Sequence, residues 1–266
     1  MILKAKVFIP ILFLMILSCK TENNKRTVLN TETENTVAIC NTKNLIQSLE
    51  DSLILSYIVN PKKETLKFYW KNNKDSIIKT FKNLKTEVDN NNQKLVFAMN
   101  GGMFKKDFSP QGLYIEKGET LSKLDTIKKG FGNFYLQPNG VFLITKNGIP
   151  LITTTQKFNI NNDINYATQS GPMLVIDGKL HSKFNKGSSN LNIRNGVGTL
   201  PNGDLLFAMS KNKINFYDFA TFFKNSGCEN ALYLDGFVSK TYLPSKNCNE
   251  LKGDFGVIIA ETKLIK

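Results

Sequence analysis

Histidine is nearly missing from this chain of 266 residues, where His181 is the only one. Its scarcity removes His-pair metal motifs and makes zinc hydrolase chemistry a poor fit, because catalytic zinc draws most of its protein ligands from imidazole. A Ser-His-Asp triad would have to use His181, just past the Asp177-Gly178 turn, and no G-x-S-x-G elbow supplies the nucleophile. The stretches "GFGNF" and "RNGVG" lack the rest of a dinucleotide fingerprint, and no P-loop occurs. Arginine is almost as scarce, with Arg26 and Arg194 the two in the chain. No Arg-rich cluster interleaved with aromatics exists, so nucleic acid is not an expected partner. Beyond the first twenty residues no run approaches the ~20 apolar residues of a membrane span.

Lysine supplies the charge instead, and the formal net charge is +13. Losing Lys4 and Lys6 with a leader would lower it by two, to +11. Such a surplus draws phosphate-bearing or acidic polymers, although Lys and Asn are abundant throughout, as an AT-rich genome would give. The leader is "MILKAKVFIPILFLMILSCK": a basic start, an apolar run Val7–Leu17, then Ser18-Cys19, the layout of a secretory signal. The apolar run is too short to span a bilayer comfortably. Ile16-Leu17-Ser18-Cys19 resembles the lipobox of bacterial lipoproteins, which implies acylation of Cys19. The chain would then sit on a lipid bilayer in the bacterial cell envelope, periplasmic or on the outer surface. The expected division is a signal peptide at 1–18, a polar, aromatic-free tether at 19–36, and one domain at 37–266. Export frames the remaining cysteines, because that compartment permits disulfides. Cys228–Cys248 is the expected pair, closing a loop around "ALYLDGFVSKTYLPS". Three pairings among Cys40, Cys228 and Cys248 are open, as are three free thiols.

From Val37 the pattern is globular. "LILSYIVNPKKETLKFYW" reads as two strands around Asn60-Pro61. "DSIIKTFKNLKTEV" reads as a helix capped by Asp75, with Ile77, Ile78, Phe81, Leu84 and Val88 on one face. Short turns at Lys117-Gly118, Asn147-Gly148, Asp177-Gly178 and Asn202-Gly203 suit hairpins, since Gly and Asn tolerate the positive φ required. A second helix, "INFYDFATFFKNSG", carries Phe216, Phe219, Ala220 and Phe223 on one side and stops at Gly227. So many hairpins predict an α+β domain of largely antiparallel or mixed sheet with a few packing helices.

Several strands end alike, in a polar side chain beside glycine: "FAMNGG", "ATQSGP", "LYLDG", and nearby "NIRNGVG". Strand ends and their loops are where sites gather, on a rigid scaffold. Arg194 offers a planar fork of donors for phosphate or carboxylate. Adjacent glycines leave N–H groups open to an anion, as in backbone nests. Asp235 can serve as acid, base or metal ligand, and Asn100 can hold a hydroxyl or phosphate oxygen. The bland counterparts are a bulge, two turns and a surface ion pair. No acidic cluster demands a metal, though a divalent cation held partly by Asp235 is compatible.

Seven segments in register resemble the bacterial phosphodiester glycosidase family: "FAMNGGMF", "SPQGLYIEKG", "GNFYLQPNGVFLI", "ATQSGPMLVIDGKLH", "RNGVGTLPNGDLLFAMS", "NFYDFATFF" and "CENALYLDGFVS". They run from about Leu95 to Tyr242. The resemblance implies a glycosidase that cleaves a sugar linked through phosphate to a second group, with a phosphorylated carbohydrate as substrate. It implies a catalytic set of Asp235, Arg194 and Asn100. Substrate binding would fall to Gly101, Gly102, Ser170, Gly171, Asn195, Gly236 and Ser239. Many members place further glycines after Leu-Asp-Gly, where this chain has Phe237 and Val238; Phe237 either lines a pocket or closes the phosphate nest. Three other readings remain: a surface lipoprotein that binds a phosphorylated glycan without cutting it, a phosphodiesterase that breaks the phosphate–alcohol bond, and a purely structural envelope lipoprotein.

Overall fold

The structure, a computed structural model, describes residues 52–235 and 238–265. The expected signal segment and tether, together with Cys19, Cys40, Gly236 and Phe237, lie outside the described residues. In chain order the strands begin with β1 (Ile54–Val59), β2 (Thr65–Tyr69), β3 (Gln93–Asn100), β4 (Tyr114–Glu116), β5 (Glu119–Ser122), β6 (Gly140–Thr145) and β7 (Pro150–Thr154). They continue with β8 (Ile164–Ser170), β9 (Met173–Ile176), β10 (Lys179–Leu180), β11 (Asn195–Thr199), β12 (Leu205–Ser210), β13 (Asn230–Tyr233), β14 (Thr241–Tyr242) and β15 (Ile258–Leu264). Among the described residues two complete α-helices accompany them, α1 (Phe81–Asn90) and α2 (Phe216–Asn225).

Three antiparallel sheets result, ordered β1-β12-β11-β13-β9-β10, β14-β3-β15-β2 and β5-β4-β8-β6-β7. All four glycine turns foreseen from the sequence join paired neighbours, β4–β5, β6–β7, β9–β10 and β11–β12. Sheet dominates the domain, and helix is a smaller part than the α+β expectation suggests.

Alternation in the strands explains how the sheets stack. In β3, Phe97 and Met99 enter a central core with Phe68, Phe142, Phe207 and Ile259, which come from all three sheets. Ala98 faces the other way, against Phe81, Leu84 and Val88 of α1, and an irregularity in the β3–β15 pairing between Leu95 and Phe97 turns Leu95 to that face as well. Likewise Leu205 and Phe207 of β12 point to the centre, while Leu206 and Ala208 meet Phe219, Ala220 and Phe223 of α2. Period-two side chains thus give the two outer sheets an inner and a helix-covered face.

The first helix begins later than its apolar spacing suggests. Thr80, not Asp75, is the cap, and its hydroxyl accepts from Asn83 N at 3.0 Å. Asn72 Oδ1 instead accepts from Lys74 N and Ser76 N, each at 3.0 Å, folding residues 72–76 into a turn. Asp75 and Lys79 adopt positive φ there, which no helix accommodates. Ile78 is still buried with the helix face, so the periodicity reported burial rather than helix.

The expected Cys228–Cys248 disulfide is absent, and both residues are free thiols. Cys228 packs with Phe223 and Ala231 under α2, and its sulfur approaches Gly198 so closely that a Cβ there would stand 2.5 Å away. Cys248 lies against the central core instead, and its Sγ donates to Thr241 O at 2.9 Å. Burial pushes the Cys228 thiol up to about 12, leaving almost no thiolate at neutral pH. Iodoacetamide should therefore alkylate Cys228 only after unfolding, as read by peptide mass spectrometry. Modification in the native protein at the rate of a small free thiol would contradict this packing.

Candidate active site

Four strand ends meet through side-chain amides and hydroxyls. Asn100 closes β3, and Asn195 opens β11; both are fully buried. Asn195 Nδ2 donates to Asn100 Oδ1 at 2.9 Å and to Asn100 O at 3.0 Å. Asn100 Oδ1 also accepts from Lys240 N at 2.9 Å. On its other side, Asn195 Oδ1 accepts from Asp235 N at 2.9 Å. Ser239 Oγ donates to Asp235 O at 2.5 Å, and Ser170 Oγ donates to Leu234 O at 2.6 Å. Asp235 is consequently fixed through its own main chain and that of Leu234, while none of these bonds uses its carboxylate. Asn100 Nδ2 is buried without a hydrogen-bond partner among the described residues, a donor left over at the centre of the network.

The glycines serve this convergence by being small. A Cβ on Gly101 would stand 2.5 Å from Ile259 Cγ1, and one on Gly102 2.5 Å from Thr168 Oγ1. Gly171 would strike Asn139 Cβ at 2.6 Å. Neither Gly101 nor Gly102 has positive φ, and Gly101 N donates to Val257 O at 2.8 Å. Gly101 does not present its amide to an anion as expected: that N–H is committed to Val257 O just before β15, the absent Cβ makes room for Ile259 of that strand, and at Gly102 the missing Cβ admits Thr168 of β8 from another sheet.

Arg194 is also corrected. It is fully buried, with Nε donating to Ile214 O at 2.8 Å. Nη2 donates to Asn190 O at 2.8 Å and Asn190 Oδ1 at 2.9 Å, and Nη1 reaches Tyr233 OH at 3.4 Å. Its guanidinium carbon lies 3.5 Å over the Phe216 ring. Phe216 stacks on Phe184 at 5.0 Å, and Phe184 on His181 at 4.7 Å. A cation at the end of an aromatic column, satisfied by carbonyls, is a stable way to bury a guanidinium. Burial lowers its pKa and Tyr233 opposes that shift. The fork expected to grip phosphate grips protein.

Beside this scaffold lies a cleft of about 370 Å³, lined by Asp235, Lys105, Lys106, Gln111, Asn133 and the apolar Met103, Phe104 and Val238. Lys105 and Lys106 belong to the loop leaving β3, and both are exposed. That loop is braced: Trp70 Nε1 donates to Phe108 O at 3.0 Å, Lys79 Nζ lies 3.9 Å over the Phe108 ring, and Phe104 stacks on Phe108 at 5.5 Å. Asp107 keeps its carboxyl below the usual range because Ser109 donates to it. Among the described residues no group of three His, Cys, Asp or Glu side chains comes together as a metal site. The arrangement sets one acidic residue, two lysines and two amide residues around a small hollow with a largely apolar wall, suited to an anion attached to a sugar whose ring packs on that wall.

Residues 93–256 match the profile of the family described as phosphodiester glycosidase. A relative from Escherichia coli (strain K12), named uncharacterized protein YigE, is 35% identical over 191 residues, covering 71% of this chain and 74% of its own. The chain belongs to the phosphodiester glycosidase family. Its fold is also that of the zebrafish N-acetylglucosamine-1-phosphodiester alpha-N-acetylglucosaminidase catalytic domain, solved auto-inhibited by its pro-peptide. The TM-score is 0.54 at 14% identity, over 79% of this chain and 83% of that one. A hypothetical protein from Synechocystis gives a TM-score of 0.52 at 13% identity, over 79% of this chain and 59% of that one.

In this phosphodiester glycosidase domain the strand-end residues do assemble, but as two layers. Asn100, Asn195, Ser170 and Ser239 make the supporting network, and among the described residues Asp235 is the expected one that lines the cleft. Lys105, Lys106, Gln111 and Asn133 were missed. The available signal was the "KKD" between Phe104 and Phe108, directly after Asn-Gly-Gly.

Proposed function

We propose that this protein hydrolyses a sugar-1-phosphodiester at the anomeric carbon. The observation that carries the reading is a carboxylate and two lysines lining one cleft in a phosphodiester glycosidase domain. Water attacks the anomeric carbon, and Asp235 accepts the proton or stabilises the oxocarbenium-like sugar. The anomeric C–O bond breaks, and its electron pair leaves with the phosphate as a monoester. Charge on that phosphate grows as the bond breaks, so Lys105 and Lys106 bind the transition state better than the ground state. Asn195 and Ser239 position Asp235, Ser170 pins the strand before it, and Arg194 holds the loop from Asn190 against α2. The Asn100 amide nitrogen would take a water or a sugar hydroxyl.

The test is release of free sugar from a sugar-1-phosphodiester, run in ¹⁸O water. Label in the sugar supports this reading; label in the phosphate means a phosphodiesterase; binding without product means a glycan-binding protein. Lys105→Ala combined with Lys106→Ala should lower kcat/KM about tenfold or more while leaving thermal unfolding unchanged. Wild-type kcat/KM in that variant would remove the lysines from the mechanism. Anchoring in the cell envelope through Cys19 is part of the same proposal, supported by the leader's layout. Labelled fatty acid should enter the wild-type protein and not Cys19→Ser.

A further inference from the structure

We propose that the face around β2 holds a second binding site, for a chain in which sugars alternate with phosphates. It shares no lining residue with the Asp235 cleft.

Its first half is a hollow of about 440 Å³ whose lining includes Lys62, Lys63, Lys67 and Lys146. None of these four takes part in an ion pair among the described residues. Glu64 is the one carboxylate in the lining, and its Oε2 already accepts from Asn60 N at 2.6 Å. Two turns form the walls, Asn60–Glu64 before β2 and Thr145–Gly148 between β6 and β7. Gly148 makes their approach feasible: its φ is +72°, and a Cβ would stand 2.8 Å from Pro61 O. Unpaired ammonium groups around a hollow attract phosphate.

The second half is a hollow of about 370 Å³ that also uses Lys67. It is lined by the amides Asn72, Asn73, Asn91 and Gln93, by Tyr69, and by the carboxylates Glu87 and Glu116. Its other lysines are balanced, Lys71 by Asp75 at 2.8 Å and Lys117 by Glu116 at 4.0 Å. Amides and a phenol, which both donate and accept, suit sugar hydroxyls. One cationic hollow therefore adjoins one amide hollow across a single lysine, whose strand position is fixed by pairing with Ala260 of β15.

Lysine on β2 has a simpler role as well, since β2 is an edge strand and charge there deters pairing with another chain. Lys67 alone would meet that need. Lys62, Lys63 and Lys146 come from turns, and an edge strand does not require them. A membrane surface would call for charge on a flat face, whereas these groups surround concavities.

The choice of a sugar–phosphate chain rests on the phosphodiester glycosidase reading; the binding itself does not depend on hydrolysis. The probe is a synthetic oligosaccharide of hexoses joined through phosphodiesters, titrated against the full chain. Lys62→Glu with Lys146→Glu should weaken binding about tenfold and leave turnover of a monomeric sugar-1-phosphodiester within roughly twofold, because distant sites act independently. Asn73→Ala with Gln93→Ala should weaken the oligosaccharide but not inorganic polyphosphate. Unchanged oligosaccharide affinity in the charge-reversal variant would overturn the site. So would tighter binding to phosphatidylglycerol vesicles than to the oligosaccharide, which would identify a membrane contact. No turnover in any variant, with the binding loss intact, overturns only the hydrolysis and supports this site.

Discussion

Asp235→Asn should lower kcat by about a thousandfold, the range for loss of a positioned acid or base, with an unchanged melting temperature. The two halves of that expectation have separate causes. What the scaffold holds is peptide: Asp235 N on Asn195 Oδ1 at 2.9 Å and Asp235 O under Ser239 Oγ at 2.5 Å. Asparagine keeps both bonds and nearly the same volume, so the support from Asn195 and Ser239 survives the substitution. What the substitution removes is negative charge and basicity at the cleft wall, facing the same space as Lys105 and Lys106. Substrate affinity should hold or improve slightly, since an anionic ligand no longer meets a carboxylate. A variant that keeps a tenth of wild-type turnover would show that the carboxylate is not the catalytic group. Asn195→Ala makes the converse comparison: it leaves the carboxylate in place and takes away its support, so it should lose stability and turnover together.

The outline of this site was readable because its signal is local. A polar residue and a glycine closing an apolar strand stand out in a single line of sequence, and Asn100, Ser170, Asn195 and Asp235 were found that way. Their division of labour was not readable, because it is decided by partners far away in the chain. Gly101 and Gly102 look like a nest until Ile259 and Thr168 occupy the space where their side chains would be. Arg194 looks like a free fork until Ile214 and Asn190 take its hydrogens. The same limit explains the first helix, where an Asn72 turn overrides good apolar spacing. It explains the cysteines too, whose separation in sequence says nothing of the different cores that receive them. Lys105 and Lys106 were hidden by abundance, since in a chain with 35 basic residues no lysine is conspicuous.

Arg194 gives the larger structural effect. Arg194→Lys should cost about 3 kcal/mol of folding stability, the scale for breaking a buried, charged hydrogen-bonded group, measured by urea unfolding. A lysine carries one point charge and three donors on a flexible stem. It cannot bond Ile214 O, Asn190 and Tyr233 together while lying flat on Phe216, so carbonyls on two sides lose their donor. Arg194→Met should cost a similar amount by a different route: it keeps apolar contact with Phe216 but leaves every one of those oxygens unpaired in the interior. Both variants, assayed while still folded at low temperature, should retain the wild-type KM for a sugar-1-phosphodiester, because the guanidinium is held by protein groups rather than presented to the cleft. The opposite pattern, full stability in Arg194→Lys with KM raised about a hundredfold, would return Arg194 to phosphate recognition and require its guanidinium to leave Phe216 when substrate arrives.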